Sequence, residues 1–402
     1  MKGGRRSLLR SRRGTYVLAL ATFVALGLPD GVLGVAWPSI RVAADRPVSA
    51  LGVLLVAQTA GYLVATAANG ALVTSLGTGR LLAAATAVAA CGFGAFVASS
   101  GAWVVLIVAS SAVGAAAGMV DAGVNAHVAV HHGRRAMGLL HAAYGVGATA
   151  GPLLVTGLLA AERTWRSAYG AIASLQGVLL VAFLATRGSW RPAPARPPDG
   201  TSGLVPLPRA RTALVLTLAS FFVYTGLEIA TGQWAFSLLS EERGVPTTTA
   251  GLWVAAYWAS LTGGRLVLAG AGERVPADRL LGGATAGALL GTLVLWLDPG
   301  GAGAVGLPLI GTSLAPVFPT LVSLTPERLG AHRAAHAIGY QLSAAGVGAA
   351  ALPAAVAVAV GRRGLEALGP SLLVMAGVLL VLHVATQWVA ETAGPDSVVS
   401  TP

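Results

Sequence analysis

Twelve apolar stretches, each long enough to cross a lipid bilayer, follow one another along the chain with mostly short polar gaps between them. A membrane-spanning helix needs about 20 mainly apolar residues at a rise of 1.5 Å per residue. Charged residues make up only 10% of the 402-residue sequence, against about 25% in an average soluble domain. We place the spans at 15–42, 50–74, 79–99, 102–130, 136–160, 166–186, 211–239, 248–270, 279–297, 302–324, 333–360 and 366–390. This pattern predicts an all-α membrane protein with twelve transmembrane helices.

One polar gap is longer than the others and divides the spans into six and six. It contains Arg191-Pro-Ala-Pro-Ala-Arg-Pro-Pro-Asp-Gly200, a composition that is typical of a linker and cannot form an apolar span. We therefore predict two six-helix bundles joined by a cytoplasmic linker. The predicted regions are a basic N-terminus (1–14), the first bundle (15–186), the linker (187–210), the second bundle (211–390) and a tail (391–402).

The distribution of Lys and Arg predicts which ends of the spans face the cytoplasm. With the N-terminus inside, 18 of the 26 basic residues fall in cytoplasmic segments, seven fall in outer loops, and Arg265 stays within a span. Cytoplasmic segments of membrane proteins carry an excess of Lys and Arg. We therefore predict that both termini are cytoplasmic and that the chain is a multi-pass protein of the cell membrane.

The basic residues do not indicate a nucleic-acid partner or a cleaved leader. Although the net charge is +11, the basic residues cluster between spans instead of along one aromatic-studded face. Six of them precede the first span, as in a signal peptide, but a signal peptide has an apolar core of only about 7 to 15 residues. The first apolar stretch continues to Pro38, so we interpret it as a retained span.

One carboxylate, Asp30, lies in the middle of the first span. It is the only acidic or basic side chain between residues 15 and 40. A charge at this depth costs on the order of 3 kcal/mol on insertion scales, so such residues normally face a bundle interior or a watery cavity. Pro29 and Gly31 flank it and weaken the helix locally. We interpret Asp30 as a proton-coupling residue; the alternative is a protonated aspartate hydrogen-bonded inside the bundle.

The fourth span carries a second carboxylate, Asp121, with Asn125 one helical turn further on. The i,i+4 spacing puts both side chains on one helix face, where they could bind the hydroxyl groups of a polyol. Gly114 and Gly118 form a small-xxx-small surface that allows another helix to approach closely. The alternative for Asp121 and Asn125 is a structural hydrogen bond between helices.

The seventh span repeats this logic in the second half of the chain. Glu228 lies one turn after Tyr224, so the phenol could donate to the carboxylate. Gln233 and Trp234 follow one to two turns further toward the outside, and an aromatic ring beside polar groups suits the mixed faces of a sugar. The alternative for Trp234 is an anchor at the membrane interface.

The two halves resemble each other weakly in sequence. Gly70-Ala-Leu72-Val73, at the end of the second span, is similar to Gly264-Arg-Leu266-Val267 in the eighth. Two six-span halves with a substrate site between them at mid-membrane form a recurrent plan among transporters.

Together with the twelve spans and the central linker, the sequence Gly70-x-Leu72-x4-Gly77-x2-Arg80 resembles the major facilitator superfamily. That superfamily normally carries an acidic residue and an arginine where this chain has Thr74 and Ser75, so the charge-relay gating described for it does not carry over directly. The resemblance covers nearly the whole chain and implies the major facilitator fold.

A finer resemblance is to the fucose-permease-like branch of sugar:proton symporters. It rests on Pro29-Asp30-Gly31 with Trp37-Pro38, on Asp121-Ala-Gly-Val-Asn125, on Leu140-His141-x2-Tyr144-Gly145-x-Gly147-x3-Gly151-Pro152 and on Phe318-Pro319-Thr320 before Arg328. The branch is similar in placing carboxylates on spans one and four, which implies proton coupling and sugar binding there. The candidate proton-coupling residues are Asp30, Asp121 and Glu228. The candidate substrate-binding residues are Trp37, Asn125, Tyr144, Tyr224, Gln233, Trp234 and Gln341.

Several function classes are disfavoured by what the sequence lacks. No Gly-x4-Gly-Lys-Ser/Thr sequence for ATP binding occurs, and no segment between spans reaches the usual minimum of about 50 residues for a separate domain. Cys91 is the single cysteine, and His127 with His131 has no companion ligand, so we expect no metal and no cofactor. We predict a monomeric permease, not an enzyme, whose partners are a small solute, protons and the bilayer.

The sequence therefore predicts a secondary active transporter that moves a small polar solute, for example a sugar-like one, by alternating access coupled to protons. The alternative is a proton antiporter that exports a drug or a hydrophobic metabolite. It rests on Gly147-x3-Gly151-Pro152, which resembles a motif of drug exporters.

Overall fold

The computed structural model describes the backbone of residues 12–190, 207–271, 275–329 and 331–391. Within these ranges it describes side chains except at 133–135, 207–210, 269–271, 327, 329, 331–336 and 390–391. The start of the basic N-terminus, the centre of the predicted linker and nearly all of the tail lie outside the described residues. The predicted domain boundaries therefore stay predictions.

The described residues are overwhelmingly α-helical, which confirms the predicted all-α membrane fold. The helices are α1 (Arg12–Ala43), α2 (Leu51–Leu76), α3 (Thr78–Ala98), α4 (Trp103–His131), α5 (Gly133–Ala160), α6 (Trp165–Thr186), α7 (Leu207–Ser237), α8 (Thr247–Ala271), α9 (Ala277–Leu297), α10 (Gly306–Leu314), α11 (Val317–Ser323), α12 (Thr325–Leu329), α13 (Ala331–Arg363) and α14 (Leu368–Glu391). Eleven helical segments of the described chain are long and apolar enough to cross a membrane. The remaining predicted span is α8, a continuous helix of 25 residues that carries Arg265.

The predicted tenth span, 302–324, differs from a simple helix. It consists of a short helical turn, Gly303–Val305, followed by α10 and α11. Pro316 lies in the break between the two helices, where it lacks the N–H that would continue the hydrogen-bond ladder. By contrast, Pro29 lies inside α1 without ending it.

The two halves repeat one packing scheme. In the first half α1 packs on α5, α2 on α4 and α3 on α6. In the second half the corresponding spans pair in the same way, with α7 on α13, α8 on α10 and α9 on α14. Close approach of α2 and α4 depends on Gly114 and Gly118, where an added Cβ would collide with the backbone at Gln58 and Tyr62. The spacing of Gly114 and Gly118 predicts a close helix approach, and the structure shows this approach between α4 and α2.

Three helix pairs make most of the described contacts between the halves: α1 with α7, α2 with α13, and α5 with α8. We call the side of the bundle where α1 begins and α14 ends the terminal face. The opposite side, where α1 ends at Ala43 and α2 begins, is the distal face. All three pairs run from one face to the other. The side on which the two helices of each pair separate is therefore the side on which a cavity opens.

The distal face carries an ionic cluster that ties the ends of the second half together. Arg243 donates to Glu366 at 2.7 and 2.8 Å and to the carbonyl oxygen of Leu295 at 2.7 Å. The hydrogen bonds to Glu366 raise the pKa of Arg243 above its already high ordinary value, so this arginine stays charged at any physiological pH. The ends of α7, α9 and α14 are therefore held as one unit.

Candidate functional site

Asp30 lies where the two halves touch. The hydroxyl group of Tyr144 on α5 donates to its carboxylate, and Nε2 of Gln233 on α7 donates to its backbone oxygen at 2.9 Å. One turn further along α1, a Cβ at Gly34 would lie 2.7 Å from the backbone oxygen of Gln233. Only glycine permits this approach, so α1 and α7 meet backbone to backbone next to Asp30.

Asp121 is held by neutral donors within the first half. Tyr62 on α2 donates to one carboxylate oxygen at 2.7 Å, and Nδ2 of Asn125 donates to the other at 2.7 Å. The amide oxygen of Asn125 is buried and has no hydrogen-bond partner among the described residues. His141 on α5 lies within electrostatic range of Asp121. Asp121 and Asn125 thus share one helix face, as the spacing predicts, and Tyr62 supplies an interhelical hydrogen bond of the kind named as the alternative. One acceptor of Asn125 remains available.

Glu228 has a different environment, because a cation accompanies it. Its side chain accepts from the hydroxyl group of Tyr224, one turn before it, and forms a 3.1 Å salt bridge with Arg265 on α8. Arg265 also donates to the Tyr224 oxygen at 2.8 Å. Tyr257 donates to the backbone oxygen of Glu228 at 2.8 Å. With only 7% of the residue exposed, Glu228 is the most buried of the three candidate carboxylates.

The three carboxylates therefore divide into two kinds. Asp30 and Asp121 form no salt bridge with any residue that the structure describes, whereas Glu228 does. A carboxylate in a poorly solvated site needs either a partner of opposite charge or a proton. A proton can neutralise either aspartate, whereas the glutamate is already compensated by Arg265.

The three carboxylates and the side chains bonded to them, which we call the polar cluster, lie where the two halves close together. On the distal side the halves interdigitate, since a Cβ at Gly52 would meet Ala357 at 2.7 Å and one at Gly251 would collide with Thr156. This contact continues to Gly145, which packs against Thr262 near mid-membrane. The cross-half hydrogen bonds and close glycine contacts of the described residues all lie at mid-membrane or on the distal side. We infer that the halves part toward the terminal face and leave a cavity there.

A cross-half salt bridge reinforces the distal closure. Arg41 at the end of α1 pairs with Glu241, which follows α7 in a π-helical turn, Leu238–Glu242. Both side chains are only partly exposed, at 27% and 21%. The structure thus represents a conformation in which the halves are held together at the distal face.

Not every predicted site residue borders this opening. Asp30, Tyr144, Tyr224, Glu228 and Gln233 come together where the halves meet, with Tyr224 and Gln233 almost fully buried at 1% and 2% exposure. Asp121 and Asn125 lie on the wall of the first half. No single helix contains this arrangement.

Three other predicted residues are fully buried in this conformation. Nε1 of Trp37 donates to the backbone oxygen of Val48 at 2.9 Å, and Nε1 of Trp234 donates to that of Pro353 at 3.3 Å. Gln341 is bonded to Thr325 at 3.0 Å. All three have 0% exposure, so a solute contact at these side chains requires a different conformation and stays a prediction.

Arg265, Tyr62 and Tyr257 complete the cluster, although none of them is among the candidates from the sequence. In the count of Lys and Arg, Arg265 appears only as a basic residue within a span. The argument applied to Asp30, that a charge inside the membrane is normally functional, also applies to Arg265 and would identify it. No comparable signal marks the two tyrosines, because aromatic residues are common in any membrane helix.

The histidines near the terminal end of α4 form an aromatic cluster. The ring of His127 lies 4.4 Å from that of His131 and 4.6 Å from that of Trp190, and Tyr16 stacks on His132 at 4.9 Å. Within the described residues no group of three metal-ligating side chains is placed to hold an ion. These contacts pack the terminal ends of α1, α4 and α6 against one another within the first half.

With this geometry in place, the comparison with protein families identifies the class. The sequence matches the model of the Major Facilitator Superfamily over residues 18–353. Because this match covers most of the chain, the protein belongs to the Major Facilitator Superfamily of membrane transporters, as the sequence motifs predicted. No curated protein matches the sequence.

Solved structures with the same fold include transporters of several solutes. A mutant form of the nucleoside transporter NupG superimposes with a TM-score of 0.73 at 14% identity, covering 92% of this chain and 98% of that one. A mutant form of a peptide transporter, POT, gives 0.72 at 15% identity, with 95% of each chain covered. A mutant form of the Escherichia coli fucose:proton symporter FucP gives 0.59 at 14% identity, with 92% and 98% covered. At these identities the likeness establishes the fold alone.

Proposed function

We propose that this protein is a proton-coupled secondary transporter of a small polar solute, working by alternating access. The observation that carries the proposal is the environment of Asp30. Its carboxylate has a hydroxyl donor but forms no salt bridge with a described residue, and it lies at the α1–α7 contact where the halves meet. A proton that binds Asp30 changes the charge at the contact between α1 and α7, and the two halves must move relative to each other at this contact during alternating access.

In this proposal the two kinds of carboxylate have separate tasks. Asp30 binds the coupling proton, and Asp121 can take part in the same transfer because it too forms no salt bridge with a described residue. Glu228 contributes through its pair with Arg265, which presents both an acceptor and a donor to a solute. The uncommitted amide oxygens of Asn125 and Gln233 supply further acceptors for solute hydroxyl or amino groups.

The polar character of the solute is supported by the cluster and by the related structures. Carboxylates, amides, tyrosines and one arginine surround the closed end of the cavity, a set suited to a solute with several donors and acceptors. The related structures include transporters of nucleosides, peptides and fucose, and the last is named a proton symporter. A small polar solute is therefore the substrate class that we propose, with a sugar-like molecule as one member.

The exporter alternative receives no added support from its motif. Gly147 and Gly151 both face α1, where a Cβ would collide with the backbone at Val24 and Leu28, and Pro152 packs against Gly31. Helix packing within the first half thus explains the Gly-x3-Gly-Pro sequence. The packing favours no solute class.

We also propose that the terminal face is cytoplasmic, so that the conformation described is open to the inside. This rests on the excess of Lys and Arg in the segments at that face. Tags at the C-terminus and near Gly200 should then be protected from membrane-impermeant reagents in intact cells. Labelling of either tag from outside would reverse the assignment.

The function is tested by transport into proteoliposomes under an imposed pH gradient. The panel should contain neutral sugars, nucleosides, small peptides and amphipathic drugs, each with and without a protonophore. We expect accumulation of at least one polar solute when the lumen is alkaline, and its loss with the protonophore. Accumulation of amphipathic drugs alone, driven in the opposite direction, would support the exporter instead.

A further inference from the structure

A groove on the membrane-facing side of the first half has no part in the transport site. It lies between α3 and α6 beside the terminal face and has a volume of about 310 Å³. Ala83, Ala84 and Ala87 form one wall, and Leu184, with 49% of its surface exposed, lies on the other. The groove is therefore an apolar channel, and it is open because the alanine side chains are small.

Two arginines stand at the terminal end of this channel. Arg80 is in the first turn of α3, and Arg187 directly follows α6. Both are exposed, and neither forms a salt bridge with a described residue. Two unpaired cations that border one groove repel each other, so an anion between them is stabilised.

Their proximity is built into the backbone. A Cβ at Gly79 would collide with the carbonyl group of Arg187, so the start of α3 and the end of α6 touch directly. The end of α2, which precedes α3, supplies no counter-charge, since Thr74 and Ser75 are uncharged; they donate to carbonyl oxygens of their own helix at 2.9 and 3.2 Å. The fold thus brings the two exposed arginines together at the groove.

We propose that this groove binds an anionic phospholipid. The phosphate lies between Arg80 and Arg187, and one acyl chain lies along the alanine wall. Arginine presents a planar fork of donors that matches phosphate oxygens, and basic pockets between transmembrane helices at the cytoplasmic side suit anionic head groups. The apolar channel leading away from the arginines favours a lipid over free phosphate, because a free anion makes no use of it.

The test is native mass spectrometry of the purified full chain in detergent with equal amounts of phosphatidylglycerol and phosphatidylcholine. We expect the tightest-bound lipid to be phosphatidylglycerol. Arg80→Gln and Arg187→Gln should each weaken its apparent affinity about fivefold, and the double variant about 25-fold, from the usual effect of one basic residue at an anionic surface.

Arg279→Gln is the matched control, because Asp278-Arg279-Leu280-Leu281 begins α9 as Gly79-Arg80-Leu81-Leu82 begins α3. It should leave the affinity unchanged. Equal retention of phosphatidylcholine, or an equal loss in Arg279→Gln, would overturn the proposal in favour of unspecific attraction to a basic protein.

The apolar part of the site is tested separately. Ala84→Trp fills the channel without changing charge and should weaken phosphatidylglycerol binding, whereas Val178→Trp, on an exposed surface of α6 outside the groove, should not. Inorganic phosphate should compete only weakly. Unchanged lipid binding in Ala84→Trp, or full displacement by inorganic phosphate, would mean that the arginines bind a free anion and that the lipid proposal is wrong.

Discussion

The two halves share one packing scheme but treat their membrane carboxylates differently. In the second half Glu228 pairs with Arg265, while in the first half Asp30 and Asp121 are held by tyrosine and amide donors. In the weak sequence repeat the position of Arg265 corresponds to Ala71. One half thus pairs its carboxylate with a cation, and the other holds its carboxylates with neutral donors. In the proposed mechanism the first holds the solute and the second binds the coupling proton.

The largest expected effect comes from removing the titratable group of Asp30. Asp30→Asn keeps the shape and most hydrogen bonds but cannot carry a proton, so gradient-driven accumulation should disappear while solute exchange continues. Uptake and counterflow in proteoliposomes measure the two separately. Asp45→Asn, the same change in an exposed loop, should behave like the wild type. Unchanged accumulation in Asp30→Asn would remove Asp30 from the coupling mechanism.

The next effect concerns the compensated charge of the second half. Arg265→Gln leaves Glu228 buried without a cation, which typically costs about 3 to 5 kcal/mol. The double variant Glu228→Gln/Arg265→Gln should recover much of this loss. Free energies of unfolding in detergent give the comparison.

The control for this pair of variants is Asp278→Asn. Asp278 pairs with Arg328 and its side chain is 59% exposed, so the loss should be at most about 1 kcal/mol. If the double variant were no more stable than Arg265→Gln alone, the ion pair would not be what compensates Glu228.

A smaller effect should separate binding from release. Asp30 and Glu228 lie near the closed end of the cavity, whereas Asp121 lies on the wall nearer the terminal face. Glu228→Gln should therefore weaken solute affinity from the distal side, and Asp121→Asn should slow exchange, each by about tenfold for one charge-assisted hydrogen bond. Equal losses of distal-side affinity in both variants, with exchange unaffected, would contradict this division.

The smallest effect is expected at the distal closure. The Arg41–Glu241 pair is partly exposed, so its loss should shift the equilibrium between the two conformations by about two- to fivefold. Arg41→Gln should raise labelling of Ser49→Cys by an impermeant maleimide to that extent, in a Cys91→Ala background. Arg46→Gln, a neighbouring change that breaks no cross-half pair, is the control. Identical labelling rates in the two variants would show that the pair does not hold the closure.

The sequence by itself determined the number of spans, the division into halves and the three intramembrane carboxylates. Span length and the cost of burying charge in lipid are local properties that can be read from consecutive residues. The i,i+4 pairs Asp121–Asn125 and Tyr224–Glu228 could be predicted for the same reason, since helix geometry alone brings their members together.

Only the tertiary structure decided which carboxylates have a cation. Arg265 reaches Glu228 from another helix, Tyr144 reaches Asp30 across the α1–α5 contact, and Gln233 bonds Asp30 across the halves. These partners depend on helix rotation and on close approaches at glycines such as Gly34. The same dependence buries Trp37, Trp234 and Gln341 in this conformation, because the exposure of a side chain between helices depends on how the halves are packed and not on its place in the sequence.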